Sequence, residues 1–266
     1  MSGSKNMRPV AELGPDEAKK IQNVLFDIDD TITTGGKLLA SAYSSIWALH
    51  DAGLNVIPVT GRPAGWCDLI VREWPVTAVI GENGAFTYYF ENGQLKTFLH
   101  PLVDPDAQNK LRAVRDAALS AVPGCRVAKD QFSRIYDVAI DFREDEPRLP
   151  FEAADEICRV CREMGAEAKV SSIHVNAWFG KYDKVGMAKL FLSGVLHDGD
   201  ARAHTLFFGD SPNDEPMFEY FPSTCAVANI KPFVEKIASL PAYVTLACGS
   251  DGFAEGVGRL LSLRAL

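Results

Sequence analysis

Short apolar runs that end in polar, loop-forming residues recur along the chain, alternating with segments whose apolar residues fall on a helical stripe. The first is Val24-Leu25-Phe26, which runs straight into Asp27. A short continuous run of this kind predicts a strand buried on both faces, as in a parallel sheet flanked by helices. Ser41–Ala52 then reads as a helix, with Tyr43, Ile46, Trp47 and His50 on one stripe and Gly53 as its stop. A second buried strand, Leu54–Val59, ends in Thr60-Gly61-Arg62-Pro63; a helix over Ala64–Glu73 and a third strand, Ala78–Ile80, lead to Gly81-Glu82-Asn83-Gly84. This alternation predicts a doubly wound, Rossmann-like α/β domain. Its polar motifs fall at the carboxyl ends of strands, the edge at which open parallel sheets bind ligands.

The pattern changes after residue 85. Ala85–Phe90 and Gln94–Leu99 flank Glu91-Asn92-Gly93 and read as a hairpin, since Asn-Gly favours a tight turn. A helix (Asp106–Ala121), a strand (Arg134–Phe142), a helix (Phe151–Met164) and paired strands (Ala166–Ser171, Ile173–Phe179) follow. The α/β alternation then resumes with a helix over Tyr182–Ser193, a strand His204–Phe208 ending in Gly209-Asp210, and short strands at Thr224–Val227 and Ala242–Thr245. The expected organisation is a core formed by residues 1–98 and 182–266, interrupted by an inserted α+β unit over 99–181.

Composition narrows the function. The 266 residues are 47% apolar and carry a net charge of −8, enough apolar material for a full core and the wrong sign for a nucleic-acid partner. A small anionic substrate stays open, because a pocket can be locally positive on an acidic protein. The six cysteines are scattered, mostly inside apolar segments, which suits reduced, buried thiols; Cys158 and Cys161, three apart, read as helix positions rather than a metal or redox pair. Met1–Met7 is polar and not of secretory type, and no run approaches the ~20 apolar residues of a membrane span, so the expected location is cytoplasmic.

The candidate chemistry is carboxylate chemistry. Asp27, Asp29, Asp210 and Asp214 all stand at predicted strand ends, and Asp27 and Asp29, two apart, point the same way wherever the strand stays extended. Several carboxylates at the mouth of a buried sheet repel one another unless a cation offsets them, and hard oxygen donors favour Mg²⁺. Each motif taken singly also fits a plain structural part. An Asp before Thr caps turns and helices, Thr60-Gly61 can open a helix, a helical lysine is usually solvated, and Asn213-Asp214 can start a helix ahead of Pro216.

In combination, Asp27-Ile28-Asp29-Asp30-Thr31, Thr60, Lys184 and Gly209-Asp210-Ser211-Pro212-Asn213-Asp214 resemble, in type and order, the motifs of haloacid dehalogenase superfamily phosphatases. The resemblance covers nearly the whole chain. The position of the insertion is similar to the branch with a large α+β cap, and Gly209–Met217 resembles sucrose-phosphate, mannosylglycerate-phosphate and trehalose-phosphate phosphatases. It implies that Asp27 is the nucleophile, Asp29 the acid/base, and that Mg²⁺ is held by Asp27, the Asp29 backbone carbonyl and Asp210, with Asp214 close by or acting through water. Thr60, Gly61, Lys184 and Asn213 would hold the phosphoryl group. Lys184 is preferred over Lys181 for that task. Asp30 stands where the family usually has Gly and reads as a loop residue. A carboxylate at Asp29 argues against dehalogenation, because dehalogenase relatives lack one there.

The inserted unit bears on substrate. Along Ile173–Phe179, Ile173, Val175, Ala177 and Phe179 form one face and His174, Asn176 and Trp178 the other. The second set suits a hydroxyl-rich ligand if it faces the crevice and a solvated surface if it does not. Arg62, Glu82 and Asn83 at core strand ends are further candidates to meet the leaving group, whereas Trp66 reads as packing. The expected activity is Mg²⁺-dependent hydrolysis of a small phosphate monoester, a sugar phosphate by resemblance. The alternatives are a sugar phosphomutase of the same superfamily and a non-catalytic sugar-phosphate binding module.

Overall fold

The computed structural model describes residues 7–171 and 173–265, so the reading of Met1–Met7 lies outside the described residues except for Met7. Six parallel strands form the central sheet, in the spatial order Arg8–Pro9, Tyr243–Val244, Ser223–Ala226, Thr205–Gly209, Asn23–Phe26, Asn55–Pro58. Strands from the two ends of the chain lie side by side here, so the sheet is completed only when the chain returns after the insertion.

The apolar runs sort themselves onto two faces by strand alternation. Val24 and Phe26 join Val56, Leu206 and Phe208 in a cluster covered by the helices Ala40–Asp51, Ala64–Glu73 and Gly249–Arg264. Leu25, Ile57 and Phe207 point the other way, against Lys184–Gly194 and Glu215–Tyr220. Helices on both faces are what make a continuous apolar strand the right sequence for this sheet.

The hairpin forms as expected, with Asn92 and Gly93 both at positive φ (51° and 73°) in its turn. It extends the core. Its strand Phe86–Glu91 pairs antiparallel with Ala78–Gly81, which meets the parallel sheet through a bridge between Val59 and Ile80. A four-stranded antiparallel sheet follows in the order Glu167–Val170, His174–Trp178, Asp137–Asp141, Arg126–Val127. The helices Ala107–Ala121 and Phe151–Glu163 cover one of its faces, and Cys158 and Cys161 are buried in that layer. The same cluster takes Val175, Ala177 and Phe179, as the alternation predicted.

The opposite face is not solvated. His174, Asn176 and Trp178 are all buried, and Trp178 belongs to the core cluster around Val24 and Phe26. Two polar devices fasten this second layer to the core. The Glu82 carboxylate accepts hydrogen bonds from the backbone N–H groups of Ala64 (2.9 Å), Ile135 (3.0 Å), Tyr136 (2.5 Å) and Asp137 (3.1 Å). Beside it the Arg134 guanidinium donates to Asp130, to Asp137 and to the carbonyl of Gly61 (3.1 Å). Among the described residues, no helix is long and apolar enough to cross a membrane.

Glu82→Ala would strand several buried N–H donors at once, each costing on the order of 1–3 kcal/mol. A net loss of about 3 kcal/mol is expected, which for a chain of this size lowers the melting temperature by roughly 6–12 °C. An unchanged melting curve would show that Glu82 does not fasten the two layers.

Candidate active site

The adjacent central strands Asn23–Phe26 and Thr205–Gly209 end level with one another, and the Asp27 N–H donates to the Phe208 carbonyl at 3.0 Å. That register brings Asp27 and Asp210 to neighbouring strand ends. Asp214, four residues on, folds back: its Oδ2 accepts from the Asp210 N–H at 3.1 Å. The approach requires glycine at 209, since a Cβ there would sit 2.6 Å from the Asp214 carboxylate. Carboxylate oxygens of Asp27, Asp210 and Asp214 all lie within 4.8 Å of one another, and all three residues are buried.

Lys184 enters from the first turn of its helix, which Asp183 caps by accepting from the Gly186 N–H at 2.7 Å. Its ammonium donates to Asp27 Oδ1 at 2.6 Å and to Asp214 Oδ1 at 3.1 Å. Gly84, at φ 103°, packs directly on the backbone of Asp183, where a side chain would collide; this brings the lysine within reach. Thr60 is fully buried at the end of the next strand, and its hydroxyl accepts from the Arg62 N–H at 3.0 Å. Thr31 Oγ1 donates to Asp210 Oδ1 at 3.1 Å, a contact that the sequence motif contains without disclosing.

Three buried carboxylates beside one ammonium leave an excess of negative charge. Burial, opposed by Lys184 and reinforced by Asp214, raises the Asp27 carboxyl to about 7, and burial with Asp214 and Asp27 raises Asp210 to about 9. Lys184 is held protonated: burial opposes its charge, but Asp214 and Asp27 outweigh it. An all-oxygen, anionic donor set of this kind fits a hard divalent cation.

Asp29 stands outside the cluster and is half-exposed. The Arg62 guanidinium grips it with Nε at 2.9 Å and Nη2 at 2.5 Å, and lies over the Trp66 ring at 4.3 Å. Trp66 is therefore a platform for Arg62 and not plain packing. Asp30 sits at φ 59°, a left-handed conformation that explains why glycine suits the position and why Asp tolerates it; its N–H donates to Thr33 Oγ1 at 2.9 Å. Lys181 is exposed, whereas Lys184 is buried.

Asn83, also left-handed at φ 58°, lies against Gly61, where a Cβ would be 3.1 Å from its Oδ1. The Asn213 Oδ1 is buried without a hydrogen-bond partner beside Asp210 and Asp214. Glu82, by contrast, is spent on the backbone amides described above and does not face a leaving group; it is fully buried. Within the second layer, His174 Nε2 is 2.9 Å from Glu144 and Asn176 donates to Asp137 at 2.9 Å. The Trp178 indole N–H is buried without a hydrogen-bond partner.

A family model described as haloacid dehalogenase-like hydrolase matches residues 24–111 and 196–256, more than half of the chain. No curated protein matches the sequence. Among solved structures, Thermoplasma acidophilum protein 0175 is similar with a TM-score of 0.71 at 18% identity, over 91% of this chain and 99% of that one. The subclass IIB sugar phosphatase BT4131 has a TM-score of 0.62 at 16% identity, over 91% and 99%. The sucrose-phosphatase of Synechocystis sp. PCC6803, solved with sucrose and phosphate, has a TM-score of 0.63 at 16% identity, over 90% and 98%.

The raised carboxyls make a signed prediction for the cation-free protein. Each folded-state value lies above its unfolded value near 4, so the stability it contributes is present below about pH 4 and is lost as pH rises through about 7 for Asp27 and 9 for Asp210. Mg²⁺ should therefore raise the melting temperature more at pH 8 than at pH 5.5, measured against a chelator control. Equal shifts at both pH values would mean that the cation does not meet these carboxylates.

Proposed function

Because the chain belongs to the haloacid dehalogenase-like hydrolases, we propose that it is a Mg²⁺-dependent phosphatase acting on a small phosphate monoester, with a sugar phosphate as the expected class. The observation that carries this reading is the buried constellation of Asp27, Lys184, Asp210 and Asp214 at one sheet edge. The inserted unit over 99–181 serves in this reading as a cap over the site, and the sugar phosphatases of similar fold support the substrate class.

Asp27 Oδ attacks phosphorus; the P–O bond to the leaving group breaks as the P–O bond to Asp27 forms, giving an aspartyl-phosphate. Asp29 supplies the proton that the leaving alkoxide needs, then takes one from the water that hydrolyses the intermediate and frees Asp27. Lys184, Thr60, the Gly61 backbone and Asn213 hold the phosphoryl oxygens, and the unpartnered Asn213 Oδ1 can fix the orientation of a bound water or hydroxyl. Mg²⁺, held by Asp27, Asp210, the Asp29 carbonyl and Asp214, would offset the charge between an anionic nucleophile and an anionic phosphate.

Arg62 grips both oxygens of Asp29, so a leaving group reaches that carboxyl only once the guanidinium is drawn off. The arriving substrate, itself anionic, competes for the guanidinium and releases the carboxyl. Arg62, Asn83 and Trp178 line the leaving-group side in this account. A phosphomutase would use the same two aspartates, and it is told apart by an isomerised product from a hexose phosphate in place of inorganic phosphate.

The deciding experiment is phosphate release over a panel of sugar phosphates with Mg²⁺. Asp27→Asn is expected to lose at least about 10³-fold in kcat, and Asp29→Asn to lose about 10²-fold or more. Equal release by wild type and Asp27→Asn would remove Asp27 as nucleophile. A chelator should abolish turnover and added Mg²⁺ restore it.

A further inference from the structure

We propose that Lys169, on the second-layer strand Glu167–Val170, binds a second anionic group, a carboxylate or a phosphate, carried by the leaving-group half of the substrate. This rests on the phosphatase reading above and goes beyond it, since that reading leaves the leaving group neutral.

Strand register fixes the direction of the side chain. Lys169 pairs with Asn176 and its neighbour Ala168 with Ala177. Directly paired residues share a face, and Ala168 and Ala177 lie in the apolar layer under the two helices. Lys169 therefore shares the opposite face with Asn176 and, diagonally, with Trp178, the face turned to the core.

From there its ammonium reaches the field of the catalytic charges. Burial lowers its pKa first, Lys184 lowers it further, and Asp183, Asp214 and Asp27 act on it in the opposite sense. The side chain is half-buried, and among the described residues it has neither a hydrogen bond nor an ion-pair partner, whereas Lys184 already spans Asp27 and Asp214. An unpaired, half-buried ammonium is open to an incoming anion, which it can hold with a charge-assisted hydrogen bond.

The reaction geometry assigns that anion to the leaving group. Asp27 attacks from the sheet edge, and in-line displacement drives the leaving oxygen away from the nucleophile. In this reading that direction is toward the antiparallel layer, which carries Lys169 and the buried, unpartnered Trp178 N–H. The transferring phosphoryl group is met from the core side by Lys184 and Thr60.

Matched substrates test this. With Mg²⁺, kcat/KM is measured for 3-phosphoglycerate against glycerol 3-phosphate, which differ by a carboxylate, and for fructose 1,6-bisphosphate against fructose 6-phosphate, which differ by a phosphate. Wild type should favour the more anionic member of at least one pair by tenfold or more; the pair that responds tells carboxylate from phosphate. Lys169→Gln should reduce that ratio at least tenfold and Lys169→Arg restore most of it, which loss of packing alone would not do. Wild-type ratios near one in both pairs, or a ratio that survives Lys169→Gln, would overturn the assignment of Lys169; the wild-type ratios need no variant to fold. No phosphate release from any of these or from p-nitrophenyl phosphate would overturn the phosphatase reading and this one together, and so is distinguishable.

Discussion

Everything at the functional end of this fold answers to one imbalance: three buried carboxylates and a single buried ammonium within hydrogen-bonding distance of two of them. Such a cluster cannot be stabilised by its own contacts. Burial of unbalanced charge is costly, and here it raises the carboxyls of Asp27 and Asp210 in place of paying the full penalty. The surrounding structure is arranged to tolerate it. Thr31 and the Asp210 N–H donate into the cluster, and Gly84 and Gly209 remove the side chains that would keep Lys184 and Asp214 at a distance.

The same strand ends also anchor the second layer. Thr60-Gly61-Arg62 and Glu82-Asn83-Gly84 lie side by side, with the Asn83 N–H donating to the Thr60 carbonyl at 3.1 Å. Arg134 holds the Gly61 carbonyl and Glu82 holds three consecutive amides, Ile135 to Asp137. The antiparallel layer is thus hung from the loops that line the site. A displacement of that layer is transmitted to Thr60 and Arg62 through two or three hydrogen bonds, without any long chain of contacts.

The sequence disclosed the core and its carboxylates well because both are local signals. Val24-Leu25-Phe26 before Asp27 and Leu206-Phe207-Phe208 before Gly209-Asp210 announce strands buried on two faces and acids at their ends. What it did not disclose depends on contacts between distant segments. Glu82 looked like a site residue because it stands at a strand end, but besides Ala64 its partners lie more than fifty residues away, at Ile135 to Asp137. Lys169 carried only the weak signal of alternation with Ala168, and its meaning came from the register against Asn176. The two-faced pattern of Ile173–Phe179 was legible, whereas the burial of its polar face between two layers was not.

Arg62 is where these strands of argument meet. It follows Thr60 and Gly61, it stacks on Trp66, and it clasps Asp29, the acid/base of the proposed reaction. In the proposed reaction that carboxyl serves first as acid and then as base, and a guanidinium on both of its oxygens leaves neither free for a leaving group or a water. The two halves are separated by departure of the leaving group. An anionic group on that leaving group would draw Arg62 off Asp29 while bound and return it on leaving, so that the acid and base roles of one carboxylate follow the occupancy of the site. A cation contributed by the second layer, Lys169, fits that sequence, because it would hold the same leaving group while Arg62 is displaced.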